Sequence, residues 1–145
     1  MASRSEQVLQ ALHTALAASR PVGATLLRNA GLPARVPAAG MMILRDGDPG
    51  EPEFLFSPPL YVFEHRAEVD LIVETGTDAE RDAAFDTLKL ALGAAIAADR
   101  TLGGLCDYVL GEAPAPLDLP VEGAEGLKAA TVGVVLTYAT DDPLN

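Results

Sequence analysis

The chain has 145 residues, 49% of them hydrophobic, and carries 10 Lys plus Arg against 21 Asp plus Glu, a formal net charge of -11. That length and apolar share suffice for one domain with a real core, while the acidity gives no electrostatic reason to hold nucleic-acid phosphates. Without Trp, and with four Phe and three Tyr, no stacking platform for bases is evident; a lone cysteine, Cys106, excludes an intrachain disulfide and a thiolate zinc cluster.

Two explanations of the acidity stay open: a solubilising surface, or charge gathered where a polyanion must be repelled. The N-terminal stretch is interrupted by Glu6, Gln7, Gln10 and His13, so it does not read as a signal sequence. No run approaches the roughly 18 apolar residues of a membrane span, and a soluble cytoplasmic product in a reducing setting is expected.

A first helix is predicted over 4–18, with Ser3 and Glu6 at capping-box spacing and Val8, Leu9, Leu12, Ala15 and Leu16 on one stripe. Pro21 and Gly23 end it. The following "PVGATLLRNAGLPARVPAAG" reads as a long loop holding one extended piece near 25–28, and loops of this length are commonly functional or pinned by a partner. "MMILR" is a short strand, and "DGDPGEPE" a turn-rich connection leading into "FLF". Asp46, Asp48 and Gly50 lack the later ligands and the glutamate of a calcium loop, so a solvated turn is expected.

"YVFEHRAEVDLIVE" alternates with a period of two. Tyr61, Phe63, His65, Ala67, Val69, Leu71 and Val73 form one face, which should lie under the helices. Glu64, Arg66, Glu68, Asp70 and Glu74 mark the other, open to water or to a neighbour. Thr77 and Glu80 cap a second helix whose Phe85, Leu88, Leu92, Ala95 and Ile96 line one face. "TLGG" closes it as a C-cap and turn, since phosphate-cradling glycines precede a helix rather than follow one. "LCDYVL" is read as a strand with Cys106 as a small buried hydrophobe, "GEAPAPLDLPVEG" as too proline-rich for a sheet interior, and "KAATVGVVLTYAT" as the last strand. Strands in adjacent pairs separated by helices predict an α+β domain spanning 1–145: a mainly antiparallel sheet of four or five strands with two helices on one face.

No catalytic, cofactor or metal residue is assigned. His65 lies between Phe63 and Ala67 without a Ser or Cys elbow and reads as a hydrogen-bonded core residue. His13 belongs to no spaced ligand motif. The carboxylates on alternate positions of the charged strand are about 7 Å apart, as on any solvated acidic strand. Arg66 between Glu64 and Glu68 balances charge locally.

Four stretches, "VPAAGMMILRDGDPGEPE", "SPPLYVFEHRAEVDLIVE", "RDAAFDTLKLALGAAIAADRTLGGLCDYV" and "VVLTYATDDPL", together cover more than half the chain. In these stretches and in the order of its elements the sequence resembles tail-terminator or tail-completion proteins of long-tailed phages, prophages and gene transfer particles. The resemblance implies an α+β virion subunit without turnover, assembling as a hexameric ring on the head-proximal end of the tail tube. There it stops polymerisation and presents a surface to a head connector or stopper protein. DNA would pass without specific binding, past Glu64, Glu68, Asp70 and Glu74 as candidate lumen residues, with Arg66 among them. Arg28, Arg35 and Arg45, with Asp46 and Asp48, are candidate loop contacts between subunits, or simply solubilising charges. A different head-to-tail joining protein, an acyl-transferase-like enzyme using His65 or a carboxylate, and a small-ligand binder are the competing readings.

Overall fold

The computed structural model describes residues 1–31, 35–74, 76–117 and 126–145. Helix α1 spans Arg4–Ser19, and the Ser3 hydroxyl accepts the Glu6 amide at 3.2 Å. Helix α2 spans Asp78–Ala98 behind a complete capping box. The Thr77 side chain accepts from the Glu80 amide, and the Glu80 carboxylate accepts from the Thr77 amide. Each cap satisfies amides that a helix start leaves unpaired. After α2 the chain reverses around Asp99, whose carboxylate accepts the Thr101 hydroxyl and the Thr101 and Gly103 amides, bonds that hold its pKa low.

The strands are β1 (Thr25–Arg28), β2 (Met41–Asp48), β3 (Glu53–Phe56), β4 (Pro59–Val73), β5 (Tyr108–Gly111), β6 (Ala115–Pro116) and β7 (Lys128–Thr140). Among the described residues they form one mixed sheet, ordered β1-β2-β4-β7-β5, with β3 added to β4 and β6 to β7. The architecture is α+β, with seven strands rather than four or five. The difference lies in short pieces: β1, which pairs parallel to β2, and β6, which the prolines confine to the outer edge of β7. The predicted strand "LCDYVL" is shorter than expected. Cys106 precedes β5 in the turn, buried beside the core. Residues 118–125 of "GEAPAPLDLPVEG" and 32–34 of the long loop lie outside the described residues.

Strand β4 pairs with β7 along Tyr61–Val73. Its opposite edge is shared by two strands, β2 over the inner half and β3 over the outer. The odd positions of β4 join Val8, Leu12 and Leu16 of α1 and Phe85, Leu88 and Leu92 of α2 in one core, each large side chain contributing roughly 1.5–3 kcal/mol. A second, smaller cluster fills the other face. Met41, Ile43 and Ile72 pack there with Leu27, Ala30, Val36, Leu127 and Ala129. The inner half of the sheet is therefore covered on both sides.

Candidate functional site

The charged face of β4 is closed at one end. Glu64 is exposed, Arg66 half-exposed, and Glu68 partly covered, but Asp70 is only 5% exposed. Asp70 was expected to face water or a lumen; the second cluster buries it instead. Its carboxylate is held by Arg45 Nε at 2.8 Å and by the Thr131 hydroxyl at 2.8 Å, the partners a buried carboxylate requires. Arg45 sits within β2 rather than on a loop, and its guanidinium is spent on this pair.

Arg66 lies across Gly133, reaching Glu112 at 2.8 Å and Glu68 at 3.2 Å. A Cβ at position 133 would overlap both the Glu112 carboxylate and the Arg66 guanidinium, so the glycine makes room for the bridge. The supposed acidic stripe is thus largely a ladder of ion pairs. Glu64, and Glu74 just beyond the strand, are its exposed carboxylates that pair with no cation among the described residues, and the field of the stripe is weaker than the sequence of β4 alone suggests.

Arg28, at the end of β1, clamps α1 to the sheet. It donates to both carboxylate oxygens of Glu6 at 2.7 and 2.9 Å, and through Nε to Asp46 at 3.0 Å. The Arg28 hydrogen bonds hold the Glu6 carboxyl below its usual range, and the two carboxylates push the Arg28 pKa up. Asp46 and Asp48 both belong to β2; Asp48 is exposed and caps the turn by accepting the Gly50 amide. Arg35 is exposed on the connection between β1 and β2. Arg28 and Arg45 therefore already have partners within the chain, whereas Arg35 stands in the open.

His65 is buried, as its position on the apolar face predicts. Its Nε2 lies 2.6 Å from the Asp46 carbonyl, which can only accept, so Nε2 carries the proton and Nδ1 accepts from the Tyr138 hydroxyl at 2.7 Å. Burial raises the Tyr138 pKa to about 12. Both imidazole nitrogens are occupied. Among the described residues no group of three or more His, Cys, Asp or Glu is placed to hold a metal ion. No helix among them is long and apolar enough to cross a membrane.

The β3–β4 hairpin is an exposed apolar feature. Phe54, Leu55 and Phe56 are 39%, 41% and 82% exposed. The register sets Phe54 opposite Tyr61 and Leu55 opposite Leu60, so aromatic rings extend the core face past the helices while leucines occupy the reverse face. Phe54 packs edge-on to Phe56 at 4.8 Å and against Tyr61 at 4.9 Å. In the sequence "FLF" reads only as the segment that a turn-rich connection leads into, not as a display surface. The signal was there: an apolar run without alternation, broken by two prolines and flanked by acids, leaves no face for water.

Among known proteins, no family model matches the chain and no curated protein matches it.

Proposed function

We propose that the protein is a structural subunit that forms a ring on the head-proximal end of a phage-type tail tube, halting polymerisation and offering a surface to the head connector. The observation that carries this reading is the hairpin. An apolar strand pair open on both faces is a binding element, since monomeric proteins rarely leave such patches contiguous and bare. The sequence resemblance supplies the kind of assembly. Histidine chemistry is disfavoured, because His65 has both nitrogens engaged in the core. The ion-paired face of β4 fits a wall that tolerates passing DNA without gripping it.

The test is the mass of the purified protein by light scattering over a concentration series, alone and with the tube protein of the same particle. A ring-sized species, formed alone or only on the tube, supports the proposal. A strict monomer indifferent to the tube overturns it, and binding to connector protein but not to tube reassigns the subunit to a different joint of the neck.

A further inference from the structure

Two apolar surfaces lie on opposite edges of the same sheet. On one edge the β3–β4 hairpin exposes Phe54 and Phe56 on one face, beside the half-buried Tyr61, and Leu55 on the other, opposite the half-buried Leu60. On the other edge, β5 exposes Tyr108 and Leu110. Between α2 and the β5–β6 connection runs a groove of about 290 Å³ whose lining includes Leu92, Gly93, Ile96, Pro114 and Val132.

Gly93 is the telling residue. It stands inside α2, where glycine is the poorest helix former after proline, and a Cβ there would meet nothing within 4 Å. Among the described residues, packing within one protomer gives no reason for the missing side chain. An incoming element does, because glycine permits close approach.

The two surfaces also differ in charge. From Asp46 to His65 the chain holds Asp46, Asp48, Glu51, Glu53 and Glu64 and no Lys or Arg, and Asp141 and Asp142 follow the strand end that pairs with Tyr61. The groove is edged by Lys89, while Arg100 lies over the Tyr108 ring at 5.2 Å. Lys89 shares an exposed ion pair with Asp86, and Glu112 also lines the groove, so the contrast is one of balance rather than pure sign.

We propose that the hairpin of one protomer docks in the α2–β5 groove of a second copy, with Phe56 entering over Gly93 and Leu55 facing Tyr108 and Leu110. Such a contact joins two different surfaces of identical chains; it is heterologous and propagates head to tail until it closes. It deepens the ring reading above by naming the contact between subunits, and rests on that reading for closure.

Cysteine pairing tests it in the full chain. Phe56→Cys with Gly93→Cys in one protein should yield, on mild oxidation, a ladder of covalent multimers. Mixing the two single variants should yield dimers only. A control pairing Val22→Cys with Gly93→Cys should give no ladder, Val22 being fully exposed on a different surface. Separately, Gly93→Trp should weaken self-association at least tenfold, read by concentration-dependent scattering, while leaving the protomer's melting profile intact. A multimer that forms but gives no ladder above control overturns this contact and leaves the ring intact. A protomer that is monomeric alone, gives no ladder, yet rings on the tube overturns it as well if the ladder is also absent there. Loss of tube binding but not of self-association in Phe56→Ser assigns the hairpin to the tube protein and overturns the proposal.

Discussion

Residues 66–73 and 59–65 of β4 belong to one unbroken strand but lie in different surroundings. Along the inner half, β2 and β7 flank the strand, and from Val69 to Val73 every residue is buried on whichever face it takes. Along the outer half β2 has left, β3 takes its place, and all four β3 residues are exposed. Neighbour strands alone do not bury a strand; something must lie over each face, and the second cluster ends before the hairpin begins. The inner half thus anchors the element that the outer half displays.

The largest expected effect separates the halves directly. Leu71→Ala empties a fully buried site and should cost about 2–5 kcal/mol, whereas Phe56→Ala, at 82% exposure, should stay within about 0.5 kcal/mol. Urea denaturation of the protomer reads both. A comparable loss from Phe56→Ala would mean that the hairpin is part of the fold and not a surface held out from it.

Next comes the seam between the halves. The β2–β4 register shifts between Arg45 and Asp48, and Gly47 sits in that irregularity at φ 71°. A side chain there would overlap the Arg66 carbonyl oxygen. Gly47→Ala should therefore cost roughly 1–3 kcal/mol from backbone conformation alone, with the overlap adding to it. A neutral result would show that β2 can let go of β4 at the seam without loss.

Much of this arrangement was legible. Both helices follow from caps and 3.6-residue stripes, and the odd face of β4 follows from strict alternation. What escaped was the other face. Asp70 continues the charged set in sequence, and its burial depends on Leu27, Ala30, Val36, Leu127 and Ala129, residues far away along the chain. A clue lay in "MMILR": four consecutive buried apolar residues indicate a strand covered on both sides, and Ile72 breaks the polar set beside Asp70. The parallel pairing of β1 with β2 had no local signal at all, because parallel and antiparallel neighbours are chosen by tertiary packing. Arg28 and Arg45 were found as unusual cations, but their partners, fixed by register, were not.

A third prediction concerns the core just outside the seam. Tyr138→Phe leaves His65 Nδ1 without its donor and should cost about 1–3 kcal/mol. Alkali tests the same region without mutation. Burial raises the Cys106 pKa from 9.0 to about 11 and the Tyr138 pKa from 10.0 to about 12. A raised folded pKa means that the unfolded chain gives up its proton first. Stability is then complete below about pH 9 and falls as pH climbs through 9–11 for the thiol and 10–12 for the phenol, by at most about 1.4 kcal/mol per pH unit for each group. Denaturant midpoints across that range should fall, and Cys106→Ala should remove the lower part of the slope. A flat profile would mean that these groups are wetter than the fold implies.

The smallest effect belongs to Arg28, which fastens α1 to the β2 end of the seam through Glu6 and Asp46. These groups are partly exposed, so water and salt screen them, and Arg28→Ala should cost about 1 kcal/mol or less. Its pH signature is more diagnostic than its size. The Glu6 pKa is lowered in the fold by the Arg28 hydrogen bonds, so its contribution is present above the unfolded value of 4.5 and lost as pH falls through the folded one. The difference in denaturant midpoint between wild type and Arg28→Ala should accordingly shrink on acidification below pH 4.5, while the deficit of Leu71→Ala should not. If the Arg28→Ala deficit persists in acid, the residue acts through the packing of its aliphatic stem against the sheet, and the clamp on α1 is apolar rather than ionic.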